Sequence, residues 1–138
     1  MSLVRTIPAM PVRDIAAAVT CYVEKFGFTA VHQDSGFAVV MRDDVRVNLW
    51  EASDDSWRPR PGADPVRSGA ESFIAGTASF RVEVTDVDGL YAELAAAGVL
   101  HYRDGGAPVQ TDFGTYEFAT TDVDGNLIEF YRWVSTGG

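Results

Sequence analysis

The side chains that could carry chemistry in this chain are one cysteine, two histidines and a few paired carboxylates, and their spacing decides what each could do. Cys21 falls inside a stretch of helical periodicity with no histidine near it in sequence, so a buried thiol is expected rather than a nucleophile. His32 and His101 each stand alone in a strand-like stretch and are expected to be surface or partly packed residues. The pairs Asp43-Asp44 and Asp54-Asp55 fall in a turn and in a linker, where solvated acids are the ordinary outcome. No acyl-transfer triad, P-loop or G-x-G-x-x-G pattern is present, so nucleophilic catalysis, phosphate cradling and dinucleotide binding lack support.

These residues must be held by a single core, because 138 residues make one domain of ordinary size. With 46% hydrophobic and 22% charged residues the composition is that of a globular protein. The formal net charge of -9 repels phosphate backbones and attracts cations, so no nucleic-acid partner is expected; solubility alone would also account for it. A single cysteine excludes an intrachain disulfide, and neither a signal peptide nor an apolar run of membrane length is seen, so a cytoplasmic protein without membrane contact is expected. Lys25 is the single lysine among eleven basic residues, a hint of a GC-rich genome.

The elements that position the chemistry repeat at half length. From Asp14 the apolar residues Ile15, Ala18, Val19, Tyr22, Val23 and Phe26 keep helical spacing, with Asp14 as cap and Gly27 as stop. From Asp86 the pattern returns as Val87, Leu90, Tyr91, Leu94 and Ala95, closed by Gly98. Extended stretches precede the helices at residues 6–12 and 79–84. Strand-like runs follow them at 28–33, 37–41 and 45–51, and again at 100–103, 115–121 and 126–134. Turns are signalled by Asp34-Ser-Gly36, Asp43-Asp44 and Asp124-Gly125. Each half therefore reads βαβββ. The expected fold class is α+β, with module 1 at residues 5–51, a linker at 52–77 and module 2 at 78–134 of one domain. One helix covers one sheet face, so the other face is left for a ligand, a partner half or a second chain, and a concave cup is expected. The linker holds Pro59, Pro61 and Pro65 together with Trp57 and Phe73, which either pin it to the surface or cover a ligand.

Paired βαβββ modules, a helix opened by Val12-Arg-Asp14 and a last hairpin Asp122-Val-Asp-Gly-Asn126 followed by Leu-Ile-Glu129 resemble the vicinal oxygen chelate fold, the glyoxalase and bleomycin resistance superfamily. Within it, Phe37-Ala-Val-Val-Met-Arg-Asp-Asp-Val45, Pro8 ahead of Asp14, and Asp88-Gly-Leu-Tyr-Ala-Glu93 are most similar to the bleomycin resistance proteins. Across nearly the whole chain the joint order of these pieces carries the likeness.

The resemblance implies a curved mixed-sheet cup and a homodimer with exchanged first strands, Pro8 marking the point of exit. It puts the metal ligands of the superfamily's enzymes at Ile7, Asn48, Ser79 and Glu129. Of these only Glu129 is a strong donor, so no resident metal or other cofactor is expected, although a metal could arrive with a bound drug. If Asn48 and Glu129 face the cup, alternation adds Arg46 and Trp50, then Leu127, Tyr131 and Trp133, then Ser79, Arg81 and Glu83; Phe80, Val82 and Val84 turn to the helices. In the resembled family the planar bithiazole of the drug stacks between a phenylalanine, here Phe37, and a tryptophan, here matched by Phe113-Gly114, with Tyr116 and Trp50 as substitutes. The expected ligand-binding residues are thus Phe37, Asn48, Trp50, Arg81, Glu83, Phe113, Gly114, Tyr116, Glu129 and Tyr131.

The function this implies is sequestration of a bleomycin-type glycopeptide antibiotic, zorbamycin-like drugs included, in dimer-interface grooves, with resistance or self-resistance conferred without chemical modification. Three rivals stand beside it. One is a metal-dependent enzyme on the same fold, of glyoxalase, extradiol dioxygenase or fosfomycin thiol transferase type. The second is a binder of another planar natural product, and the third a purely structural dimer.

Overall fold

A computed structural model of the chain describes residues 1–52 and 74–134. Trp57, Phe73 and the Asp54-Asp55 pair lie outside the described residues.

Asp14 opens the first helix by accepting the Ala16 N–H at 2.9 Å, and α1 (Ile15–Glu24) presents Ile15, Ala18, Val19, Cys21 and Tyr22 to the core. Asp86 does the same for α2 (Val87–Ala97), accepting from Gly89 at 2.9 Å. Gly98 ends α2 in the left-handed conformation at φ 76°, which only a residue without a side chain takes at little cost. Gly27 is also left-handed, at φ 75°, but α1 has already ended at Glu24 with Lys25 as its cap.

Two four-stranded sheets carry these helices, one per module. The first comprises β1 (Ala9–Val12), β2 (Thr29–Gln33), β3 (Phe37–Arg42) and β4 (Val45–Glu51), in the order β1-β4-β3-β2. The second comprises β5 (Ser79–Glu83), β6 (Val109–Gln110), β7 (Thr115–Thr121) and β8 (Leu127–Trp133), in the order β5-β8-β7-β6. In both, the leading strand lies parallel to the last one and the remaining pairs are antiparallel.

Two expected strands differ. The first begins at Ala9 and not at residue 6; ahead of it, the Pro8 carbonyl accepts the Asn48 N–H at 3.0 Å. Of the run at 100–103 only Leu100 pairs, as a lone bridge to Thr120. The chain turns there instead, with Asp104 N–H on the His101 carbonyl and Tyr91 O–H on Asp104, and the edge position beside β7 falls to β6.

Both modules feed one core. Phe26 of the first lies 6.5 Å from Phe130 of the second, which stacks on Phe118 at 5.4 Å. Tyr22, Phe26, Leu49, Leu94 and Ile128 are fully buried, each contributing roughly 1.5–3 kcal/mol by leaving water. A polar joint reinforces the contact at the Asp122-Val-Asp-Gly-Asn126 turn. Buried Asn126 donates to the Pro11 carbonyl and to Asp122, and accepts from Gly76 and Ala78. Arg13 reaches the same turn, where its backbone N–H donates to Asp124 Oδ1 at 3.0 Å.

Candidate binding site

Alternation along the strands sorts the side chains onto two faces, and the helix-bearing face takes the apolar set. Val47 and Leu49 of β4, Val82 of β5, and Ile128 and Phe130 of β8 are buried beneath the helices. Arg46, Asn48 and Trp50 therefore share the opposite, open face of the first sheet. On the second sheet the open face carries Ser79, Arg81 and Glu83, opposite Leu127, Glu129 and Tyr131. These placements agree with the sequence reading.

The first sheet's open face is a floor of rings. Phe37 and Trp50 are directly opposed on β3 and β4, with centroids 4.4 Å apart and planes inclined at 41°. On the other side of Phe37, the His32 ring of β2 lies at 5.6 Å and 43°. The Trp50 Nε1 donor is buried and has no acceptor among the described residues. Rings on neighbouring strands of one sheet lie side by side, so they form one wall for a flat molecule and not both jaws of a clamp.

The second sheet's open face is ionic. The Arg81 guanidinium bonds Glu117 through Nη2 and Glu129 through Nη1, the latter at 3.1 Å, and sits 4.7 Å over the Tyr131 ring. The Glu117 partnership, against the opposing effect of burial, holds Arg81 above its ordinary pKa. For Glu117 itself burial pushes upward, but the Arg81 and Thr115 hydrogen bonds together bring the carboxyl below its usual value. Trp133 packs edge-on against Tyr131 at 5.8 Å. With Glu83 alongside, the patch carries three carboxylates against one guanidinium.

Tyr116 is a correction. It stands opposite Arg132 with Phe118 and Thr120 on the helix-bearing face, donates its hydroxyl to Asp88 of α2 at 2.7 Å, and lies 4.8 Å below the Arg132 guanidinium. It cannot substitute in the cup. Glu117, its neighbour on β7, has the opposite parity and faces the open side; the sequence reading passed over it, although its register partner Tyr131 was assigned to that face. Phe113 is exposed in the turn before β7, and Gly114 holds φ 91° there and accepts the Val134 N–H. Among the described residues the ring partners of Phe37 are His32 and Trp50, so Phe113 is not brought to it within one chain.

The four positions expected to ligate a metal do not fit one. Ile7 has no donor, Ser79 is exposed, Asn48 Oδ1 faces Arg46, and Glu129 is engaged by Arg81. No group of three or more histidine, cysteine or acidic side chains suited to an ion occurs among the described residues. The Cys21 thiol is buried, and burial pushes its pKa up, away from nucleophile behaviour.

Two concavities flank these faces. One of about 420 Å³ lies along the meeting edges of the sheets, lined among others by Pro8, Arg46, Arg81 and Glu83. A larger one of about 680 Å³ opens on the helix-bearing side, between the β3–β4 turn and the start of α2, and shares no residue with the ring floor.

Comparison with known proteins places this architecture. The model of the Glyoxalase/Bleomycin resistance protein/Dioxygenase superfamily matches residues 5–130. A bleomycin resistance protein of Geobacillus stearothermophilus is 46% identical over 134 residues, spanning 97% of this chain and 100% of that relative. The crystal structure of the bleomycin-binding protein from bleomycin-producing Streptomyces verticillus, complexed with copper(II)-bleomycin, superposes with a TM-score of 0.67. It is 27% identical and covers 94% of this chain and 96% of its own. A lactoylglutathione lyase from Agrobacterium tumefaciens shares the fold with a TM-score of 0.69 at 18% identity, covering 96% and 95% of the two chains.

Proposed function

Because this chain belongs to the Glyoxalase/Bleomycin resistance protein/Dioxygenase superfamily, and is 46% identical over nearly its full length to a bleomycin resistance protein, we propose that it binds a bleomycin-type antibiotic and protects by sequestration. The full-length likeness to the Geobacillus protein carries the reading. The open faces supply its chemistry. A planar heteroaromatic unit lies against Phe37 and Trp50, each ring contact adding about 0.5–1.5 kcal/mol beyond buried area. The carboxylate-rich patch of Glu83, Glu117 and Glu129 attracts the cationic part of the drug. No bond is made or broken and no cofactor of the protein's own is needed; a metal enters only with the drug.

A single ring floor gives one wall, so the second wall is proposed to come from a second copy. A cytoplasmic homodimer would set the exposed Phe113-Gly114 turn of one protomer against the Phe37 floor of its partner. Residues 1–7, which precede β1 and expose Leu3 and Val4, are the stretch available for exchange at Pro8. The enzyme alternative is not favoured, since the positions that would hold its metal carry an isoleucine, an exposed serine and a glutamate already paired with arginine.

Titration with copper-loaded bleomycin, followed by tryptophan emission, tests the reading. Saturable binding with a Kd of about micromolar or tighter, with the drug recovered unchanged, is the expected result. Chemical turnover of the drug, or a firmly held one-per-subunit metal in protein purified without chelator, would overturn it.

A further inference from the structure

We propose that His32 is a third ring of the drug-contacting floor, set there by a break in strand register. This inference rests on the function proposed above. Thr29 and Ala30 of β2 pair with Met41 and Val40, and regular alternation would next place Val31 opposite Val39 and turn His32 toward the helices beside Ala38. Instead the register shifts between Ala30 and His32, so that His32 takes the place opposite Val39. Val39 lies two residues from Phe37, and the same face therefore receives both rings.

The bulge takes Val31 out of the ladder and puts His32 in its place. Val31 is left unpaired and 55% exposed, while the imidazole is brought against Phe37. Trp50, Phe37 and His32 then stand on three adjacent strands, a row reaching across two strand spacings, or about 10 Å.

The imidazole is also held in orientation. His32 Nε2 meets Asp34 Oδ2 at 3.1 Å, and Asp34 is fixed in turn by the Gly36 N–H at 2.9 Å. Nε2 points at the carboxylate, and Nδ1 has no hydrogen-bond partner among the described residues.

The test uses the full chain. Copper-loaded bleomycin is titrated against the wild type, His32→Ala and His32→Phe, with far-ultraviolet circular dichroism confirming the fold of each. His32→Ala is expected to weaken binding about threefold to tenfold, and His32→Phe to stay within about twofold of the wild type. Zinc-loaded bleomycin, which is diamagnetic, is expected to shift the His32 ring resonances in NMR spectra and to leave those of His101 in place. Wild-type binding with an unaltered Kd in His32→Ala and an unmoved His32 resonance would overturn the inference alone. Absence of binding by the wild type would overturn the function beneath it as well.

Discussion

The Tyr22 hydroxyl donates to Asp122 Oδ2 at 2.9 Å, joining the first helix to a turn 100 positions further along the chain. Tyr22 is fully buried, and Asp122 also accepts the backbone N–H groups of Asp124 and Asn126. The carboxylate thus works as a node between modules. Tyr22→Phe keeps the ring but removes a donor to a charged acceptor, so a loss of about 1.5–3 kcal/mol is expected. Urea denaturation should show a lower midpoint with an unchanged slope, because the surface exposed on unfolding is the same.

Arg42 and Glu93 form a second link, with Arg42 Nη1 also on the Phe26 carbonyl at 2.9 Å. The hydrogen bond from Arg42 holds the Glu93 carboxyl below its usual value, against the opposing effect of burial. A carboxylate depressed in the folded state stabilises above its unfolded pKa of about 4.3, and that contribution is lost as pH falls through the lower folded value. With the two side chains 32% and 46% exposed, the pair contributes only about 0.5–1 kcal/mol. Glu93→Gln should therefore be less stable than the wild type at pH 7, and the two stability curves should converge in acid.

Removing Arg81 should release Glu117 upward. In Arg81→Gln the burial that raises the Glu117 pKa remains, and the bond from Arg81 that lowers it is gone. Carboxyl carbon NMR titration should find Glu117 above its wild-type value, moved in the same direction by the unneutralised Glu129 nearby. An unmoved Glu117 would mean that Thr115, which donates to it at 2.8 Å, does most of the lowering.

The two faces of the sheets should separate cleanly in binding. Phe37→Ala and Trp50→Ala each remove part of the ring floor, and a loss of about tenfold to a hundredfold in affinity for copper-loaded bleomycin is expected. Tyr116→Phe removes only a bond to Asp88 behind the sheet and should leave affinity unchanged. Calorimetric titration of the three variants reads both outcomes.

Parity was legible wherever a strand alternates branched apolar with polar residues. In β4 the series Val45, Val47, Leu49 against Arg46, Asn48, Trp50 leaves one solution and β5 behaves alike, whereas in β8 both sets mix apolar and charged residues and only the resemblance put Glu129 in the cup. In β7 the signal weakens, because Tyr116 is both a ring and a hydroxyl and satisfies either face; its bond to a helix residue 28 positions earlier decides the matter and leaves no local trace. The β2 bulge was equally hidden, since Thr-Ala-Val-His-Gln contains no glycine or proline to mark it. Residues 100–103 look like a strand in composition, yet the bonds made by His101 and Asp104 draw the chain into a turn. Asn126 was readable as part of a hairpin turn, but its ties to Pro11, Gly76 and Ala78 were not.

Those ties carry a consequence for the doubled architecture. A half-length polypeptide would leave the Pro11 carbonyl without the amide that satisfies it and the Phe26 side chain bare on the side that Phe130 covers. Neither half is therefore expected to fold by itself. Melting should be a single cooperative event, and a gene encoding either half should yield insoluble product.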